Sequence, residues 1–168
     1  MNELSNCTGY RKTSVPQLFR FNKVHPFSRF IRMRPNWQIN CETASTIITV
    51  PEFIPTEHLV ATNKLPFMRF VVLLGVCTNV RYDEATKSYT PENQQLLGYR
   101  REIHTAWNPV KRPLPEQTPE VQPENVAEYL TENNILLLAI GVEFGTVGAD
   151  GGGEAMKWGK FGKMVGSN

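Results

Sequence analysis

The residues able to do chemistry are few and scattered. Of the three histidines, His25, His58 and His104, only His104 has an acid in fixed relation to it. Glu102 lies two residues earlier, so in an extended chain the two side chains share a face. Such a pair can hold a proton between carboxylate and imidazole, or give two ligands to a metal. Zinc asks for three or four ligands at recognisable spacing, and neither His25 nor His58 lies near enough in sequence to complete the set. No metal or cofactor is therefore expected. Cys77 and His104 supply a thiol and a base, but no third group orders them, and a cysteine in an apolar strand is ordinarily inert packing. Neither GxSxG nor GxxxxGK[ST] occurs in the chain. The glycines at 151 to 153 lead into EAMKWGK, without a helix start to hold phosphate. A catalytic or ligand site would rest on Glu102, His104, Arg101 and Trp107 alone, so the chain is expected not to be an enzyme.

A second constellation concerns binding. Residues 1–40 carry Arg11, Lys12, Arg20, Lys23, Arg29, Arg32 and Arg34 against Glu3, and 7 − 1 gives +6. The whole chain is +2, so the remainder totals −4. The basic stretch is interleaved with Phe19, Phe21, Phe27, Phe30, Ile31 and Trp37, too apolar for a free tail, and prolines at 16, 26 and 35 cut it into pieces too short for a stable helix. It is expected to be an extended arm that docks on an acidic surface of an adjacent copy. In that arrangement Phe19, Phe21, Phe27, Phe30 and Trp37 are subunit-interface anchors, and Arg29, Arg32 and Arg34 are steering charges. The product is a homo-oligomer or polymer, such as a filament, appendage or virion component. Nucleic acid is the alternative partner, since arginines beside aromatics can bind phosphate and stack bases. The isoelectric point of about 8.5 falls below the roughly 9 typical of dedicated nucleic-acid domains.

These residues need elements to position them, and the chain's periodicity is that of strands. From Met68 to Tyr82 one face carries Met68, Phe70, Val72, Leu74, Val76, Val80 and Tyr82, an expected core face. RYDEATKSY, between Tyr82 and Tyr89, suits a hairpin with a loop of four or five residues. LLGYRREIHTAW alternates an apolar face (Leu97, Tyr99, Ile103, Trp107) with a charged one that includes Leu96, and should end at Asn108-Pro109. NNILLLAIGVEF is apolar on both faces for its first half, which marks a central strand with Glu143 emerging at its end. GTVGADGGG is a turn, and EAMKWGKFGKMV returns as a glycine-weakened edge strand. STIITVPEFIPTEHL is a further strand candidate, with Ile48, Val50 and Phe53 inward and Pro51 and Pro55 confining it to an edge or bend. The crossing 108–124 is broken by prolines, and PENVAEYL after it can form one short helix. Acids at 116, 120, 124, 128 and 132 read as a solvated edge.

The expected fold is mainly β: an antiparallel β-sandwich, Ig-like or jelly-roll-like, over 46–168, with an N-terminal arm over 1–45 and at most one or two short helices. A chain of 168 residues, 40% apolar, can bury one core without staples. Cys7, Cys41 and Cys77 show no CxxC and read as unpaired thiols of a reducing compartment, with a Cys7–Cys41 bridge as the alternative. No stretch approaches the ~20 apolar residues of a spanning helix, and the N-terminus lacks a secretory signal. A cytoplasmic site, or a virion or extracellular assembly reached by a non-classical or processed route, is expected.

The order TVPEFIPTEHL, apolar strand, LLLAIGVEF, EAMKWGKFGKMV resembles the C-terminal β-rich half of uncharacterised small proteins found in Bacteroidetes genomes. The likeness covers residues 46–165. It implies a β fold and a broad origin and brings no function with it. The basic leading segment departs from the helical first half of that family.

Overall fold

The computed structural model describes residues 31–59, 65–131 and 134–167. The architecture is mainly β, with antiparallel sheets and few helices. Its spine is β3 (Phe67–Cys77) paired along its whole length with β9 (Ile135–Val147), from Phe67 opposite Gly145 to Cys77 opposite Ile135. β10 (Gly153–Ser167) returns along the far side of β9 through the expected glycine turn, and β6 (Arg100–His104) lies on the far side of β3. The order is β10-β9-β3-β6, with β7 (Asn108–Pro109) extending the β6 side of β3.

A second sheet, ordered β1-β2-β8, is made of β1 (Asn36–Asn40), β2 (Ser45–Thr49) and β8 (Glu120–Val121). The sandwich thus takes in Asn36–Asn40 as its first strand. Isolated pairings of Val50 with Gln117 and Phe53 with Leu114 carry the edge of this layer beyond β8. Pro55–His58 forms one helical turn, α1, with proline in its first turn.

The two sheets share one core. Met68, Phe70, Val72, Leu74 and Val76 on β3, and Leu136, Leu138, Ile140, Val142 and Phe144 on β9, are buried against Ile39, Ile48, Val50, Phe53 and Val121 of the smaller layer. The alternation read over residues 68–76 and 136–144 therefore reports burial correctly, as does the inward placement of Ile48, Val50 and Phe53.

Five expectations are corrected. The strand from Met68 does not run to Tyr82: β3 stops at Cys77, and after Thr78-Asn79 the chain leaves the sheet as a separate two-stranded hairpin, β4 (Val80–Asp83) with β5 (Ser88–Pro91). Val80 and Tyr82 continue the apolar parity of β3, but no second layer covers them and both are exposed. The hairpin and its four-residue loop, 84–87, are as expected. Asp83 accepts bonds from the Thr86 hydroxyl and the Ala85 amide, which hold its carboxyl below the usual range.

Leu96 and Leu97 exchange roles, Leu96 buried and Leu97 exposed. A 3-10 turn at Gln94–Leu96 and Gly98 at φ 70° break the alternation before the strand begins. Glu143 does not emerge but is buried on β9. Cys41, buried just after β1, is disulfide-bonded, whereas Cys77 at the exposed end of β3 is a free thiol and Cys7 lies outside the described residues. Spacing along the chain does not report a bridge between remote segments, and the argument for a reducing compartment falls with it. The helix expected in PENVAEYL contracts to a 3-10 turn at Ala127–Tyr129. Among the described residues no helix is long and apolar enough to cross a membrane.

Candidate functional site

The outward face of the larger sheet gathers most of the chemistry the sequence holds. Arg69 and Glu143 are direct cross-strand partners on β3 and β9. Arg69 Nε donates to Glu143 Oε2 at 2.7 Å, and Nη2 lies 2.6 Å from the same oxygen. The side chains are 1% exposed for Glu143 and 20% for Arg69. A carboxylate that deep is tolerated only when paired and hydrogen-bonded, and its position in register with Arg69 provides the pair.

Next along the face, β6 places His104 opposite Val71 and Glu102 opposite Leu73. The spacing of two that put these side chains on one face brings His104 Nε2 to 2.6 Å from Glu102 Oε1. A carboxylate only accepts, so Nε2 carries the proton in this contact. The other ring nitrogen, Nδ1, faces Glu143 Oε2 at 3.6 Å. The imidazole thus stands between two carboxylates, one half-exposed and one buried.

Trp107 completes the group. β6 ends at His104, and Thr105 closes the ladder with its side chain: the Phe70 amide donates to Thr105 Oγ1 at 3.0 Å, while the Thr105 amide donates to the Phe70 carbonyl. Beyond it the indole lies over β9 and β10 at two glycines. A Cβ on Gly153 would come within 2.5 Å of the ring, and one on Gly145 within 2.9 Å of it and 2.6 Å of the Glu154 carbonyl. Only glycine leaves room for the ring to rest on this backbone. The Arg69 guanidinium stands over the same ring, 4.3 Å from its centroid, a cation–π contact.

Of the residues singled out for a possible site, Glu102, His104 and Trp107 come together. Arg101 does not: it is in register with Leu74, on the opposite face of β6. Cys77 pairs with Ile135 while His104 pairs with Val71, six residues or about 20 Å apart along β3 at the usual strand rise, so they form no thiol–base pair. Partial burial of the sulfur raises the Cys77 thiol above its ordinary range, which favours the unreactive neutral form.

Arg69, Glu143, Gly145 and Gly153 were not singled out. A signal existed for two of them. MRFVVLLGV and LLLAIGVEF each contain one charged residue, of opposite sign, and two lone opposite charges in central strands are best satisfied by each other. The glycines had no such signal, because Trp107 lies in the irregular stretch after His104, where four residue steps, from His104 to Asn108, span three of β3, from Val71 to Met68.

Chemically the group is closed. His104 offers its two nitrogens to two different carboxylates, so the three cannot converge on one ion, and among the described residues no three His, Cys, Asp or Glu side chains form a metal set. The nearby hydroxyl of Thr105 already serves the Phe70 amide. The arrangement braces β6, β3, β9 and β10 to one another.

Of the expected interface residues, Trp37 is half-buried against the protein's own core on β1, and Arg32 and Arg34 are exposed just before it. Phe19, Phe21, Phe27, Phe30 and Arg29 lie outside the described residues. No family model matches the chain, and neither a curated protein nor a solved structure matches it.

Proposed function

We propose that the protein is a non-enzymatic structural subunit that assembles with copies of itself, using its N-terminal arm and the apolar surface it leaves outside its core. The observation that carries this reading is the β4–β5 hairpin. It stands off the larger sheet with Val80, Tyr82 and Tyr89 exposed, Tyr89 at 71%, and the two tyrosine rings packed across the strands at 5.0 Å between centroids. A two-stranded hairpin is marginal by itself in water, and aromatic side chains collected on a projecting element suit a contact with another molecule. The closed state of the Arg69–Glu143 group supports the same reading, since its polar atoms are engaged with one another.

The test is sedimentation velocity of the full chain over a concentration series, with negative-stain microscopy of the same samples. Species well above the 19.1 kDa monomer are expected. Deleting residues 1–30, which spares β1, should dissolve them, and Tyr82→Ser with Tyr89→Ser should weaken them. A monomer at every concentration sinks the reading. Nucleic-acid association through the same basic segment is the second reading, supported by the exposure of Arg32 and Arg34. It predicts retention on nucleic acid that falls steeply with salt.

A further inference from the structure

The smaller layer carries a charge surplus that the described fold leaves unanswered. Residues 36–59 and 108–131, which build β1, β2, β8 and their connections, contain seven glutamates against Lys111 and Arg112, and 2 − 7 gives −5. All seven glutamates are exposed. The ion pairs among the described residues, which join Arg69 to Glu143, Lys87 to Glu84, and His104 to Glu102 and Glu143, involve none of them.

The acids are not spread over a uniformly polar face. On β2, Thr46 and Ile48 point into the core, so Ile47 points out, exposed, with Glu120 of β8 directly opposite on one side and Gln38 of β1 on the other. Farther along the same path Ile54 is also exposed, beside Glu52. Glu116 adjoins Gln117, the partner of Val50. The face therefore presents two apolar side chains set among carboxylates.

That composition is the complement of the leading segment, in which phenylalanines alternate with arginines and lysines and residues 1–30 carry Arg11, Lys12, Arg20, Lys23 and Arg29 against Glu3, 5 − 1 giving +4. The segment enters the fold at this layer, where Ile31 pairs with Leu59 just beyond α1 and Arg32 donates its amide to the His58 carbonyl. We propose that the outward face of β1, β2 and β8 docks the basic stretch 11–30 of a second copy. Glu52, Glu116 and Glu120 then face its basic side chains, and Ile47 and Ile54 lie under its phenylalanines. The inference rests on the structural-subunit reading and supplies the surface that reading needs. Each copy owns one face and one segment, so copies can exchange segments reciprocally in a closed dimer or pass them head to tail along a chain. Pro115 and Pro119 remove amide donors from the outer edge of this layer. Attachment along that β8 edge is therefore made by side chains and charge.

Two charge-reversed proteins test this. The face variant carries Glu52→Lys, Glu116→Lys and Glu120→Lys; the segment variant carries Arg20→Glu, Lys23→Glu and Arg29→Glu. The three face residues are exposed, and far-UV circular dichroism checks that both variants keep the wild-type fold. Each alone should associate at least roughly tenfold more weakly than wild type, and a 1:1 mixture should regain wild-type association, because each reversed surface then meets its reversed complement. Wild-type association in either variant alone overturns the docking face while leaving the structural reading standing. Two monomeric variants that do not recover on mixing overturn the pairing of face with segment. A wild-type chain that stays at 19.1 kDa throughout overturns both inference and reading.

Discussion

The two layers of the sandwich handle charge in opposite ways. On the larger sheet, Arg69, Glu143, His104 and Glu102 lie on three adjacent strands, each within hydrogen-bond or ion-pair reach of another. On the smaller layer, seven exposed glutamates have no ion-pair partner among the described residues. A charge buried in a central strand must be matched within the fold or the strand does not form, whereas a solvated charge costs folding little and stays available for contact. The contrast separates residues that hold the molecule together from residues free to be used.

The largest expected effect lies in the matched group. Arg69→Met leaves the Glu143 carboxylate buried without its main partner and should cost about 3–5 kcal/mol, read as a lower denaturant midpoint at unchanged slope. Adding Glu143→Leu should return most of that loss, since a well-packed apolar pair can replace a buried ion pair; no recovery would mean that Arg69 acts mainly through Trp107. Next comes Gly145→Ala. The new methyl would meet both the indole and the Glu154 carbonyl, an overpacking expected to cost about 1–3 kcal/mol in thermal or chemical melts. Glu102→Gln should change stability by under about 1 kcal/mol, because the carboxylate is 38% exposed and the pair is screened by water. Smallest of all, Glu120→Lys should shift stability by no more than about 0.5 kcal/mol while weakening self-association. A large stability loss there would erase the distinction between the layers.

How much of this could be read beforehand varies with the physics of each region. Residues 68–76 and 136–144 were legible because burial on a pleated strand imposes a period of two. The same rule failed at Val80 and Tyr82, where parity continued but the covering layer stopped, and alternation cannot say what lies across from a strand. Glu102 and His104 were legible as a pair because they are neighbours on one strand. An acid ending an apolar run usually marks a strand's exit, whereas the burial of Glu143 depends on register with Arg69, 74 residues away. Trp107 was seen, but its bed of Gly145 and Gly153 exists only in three dimensions. The acids at 116, 120 and 124 were read as solvated, which their exposure bears out.

The junction between β3 and the projecting hairpin has a mechanical corollary. Only Thr78 and Asn79 separate the spine strand from β4, so a load on the hairpin passes into β3 through two residues. That strand is held by β9 over eleven consecutive residues and by β6 and β7 on its other flank. A pull directed along β3 runs across hydrogen bonds that lie perpendicular to the strand and so loads the ladder in shear. A hairpin joined this way passes its load into a ladder that belongs to the core itself.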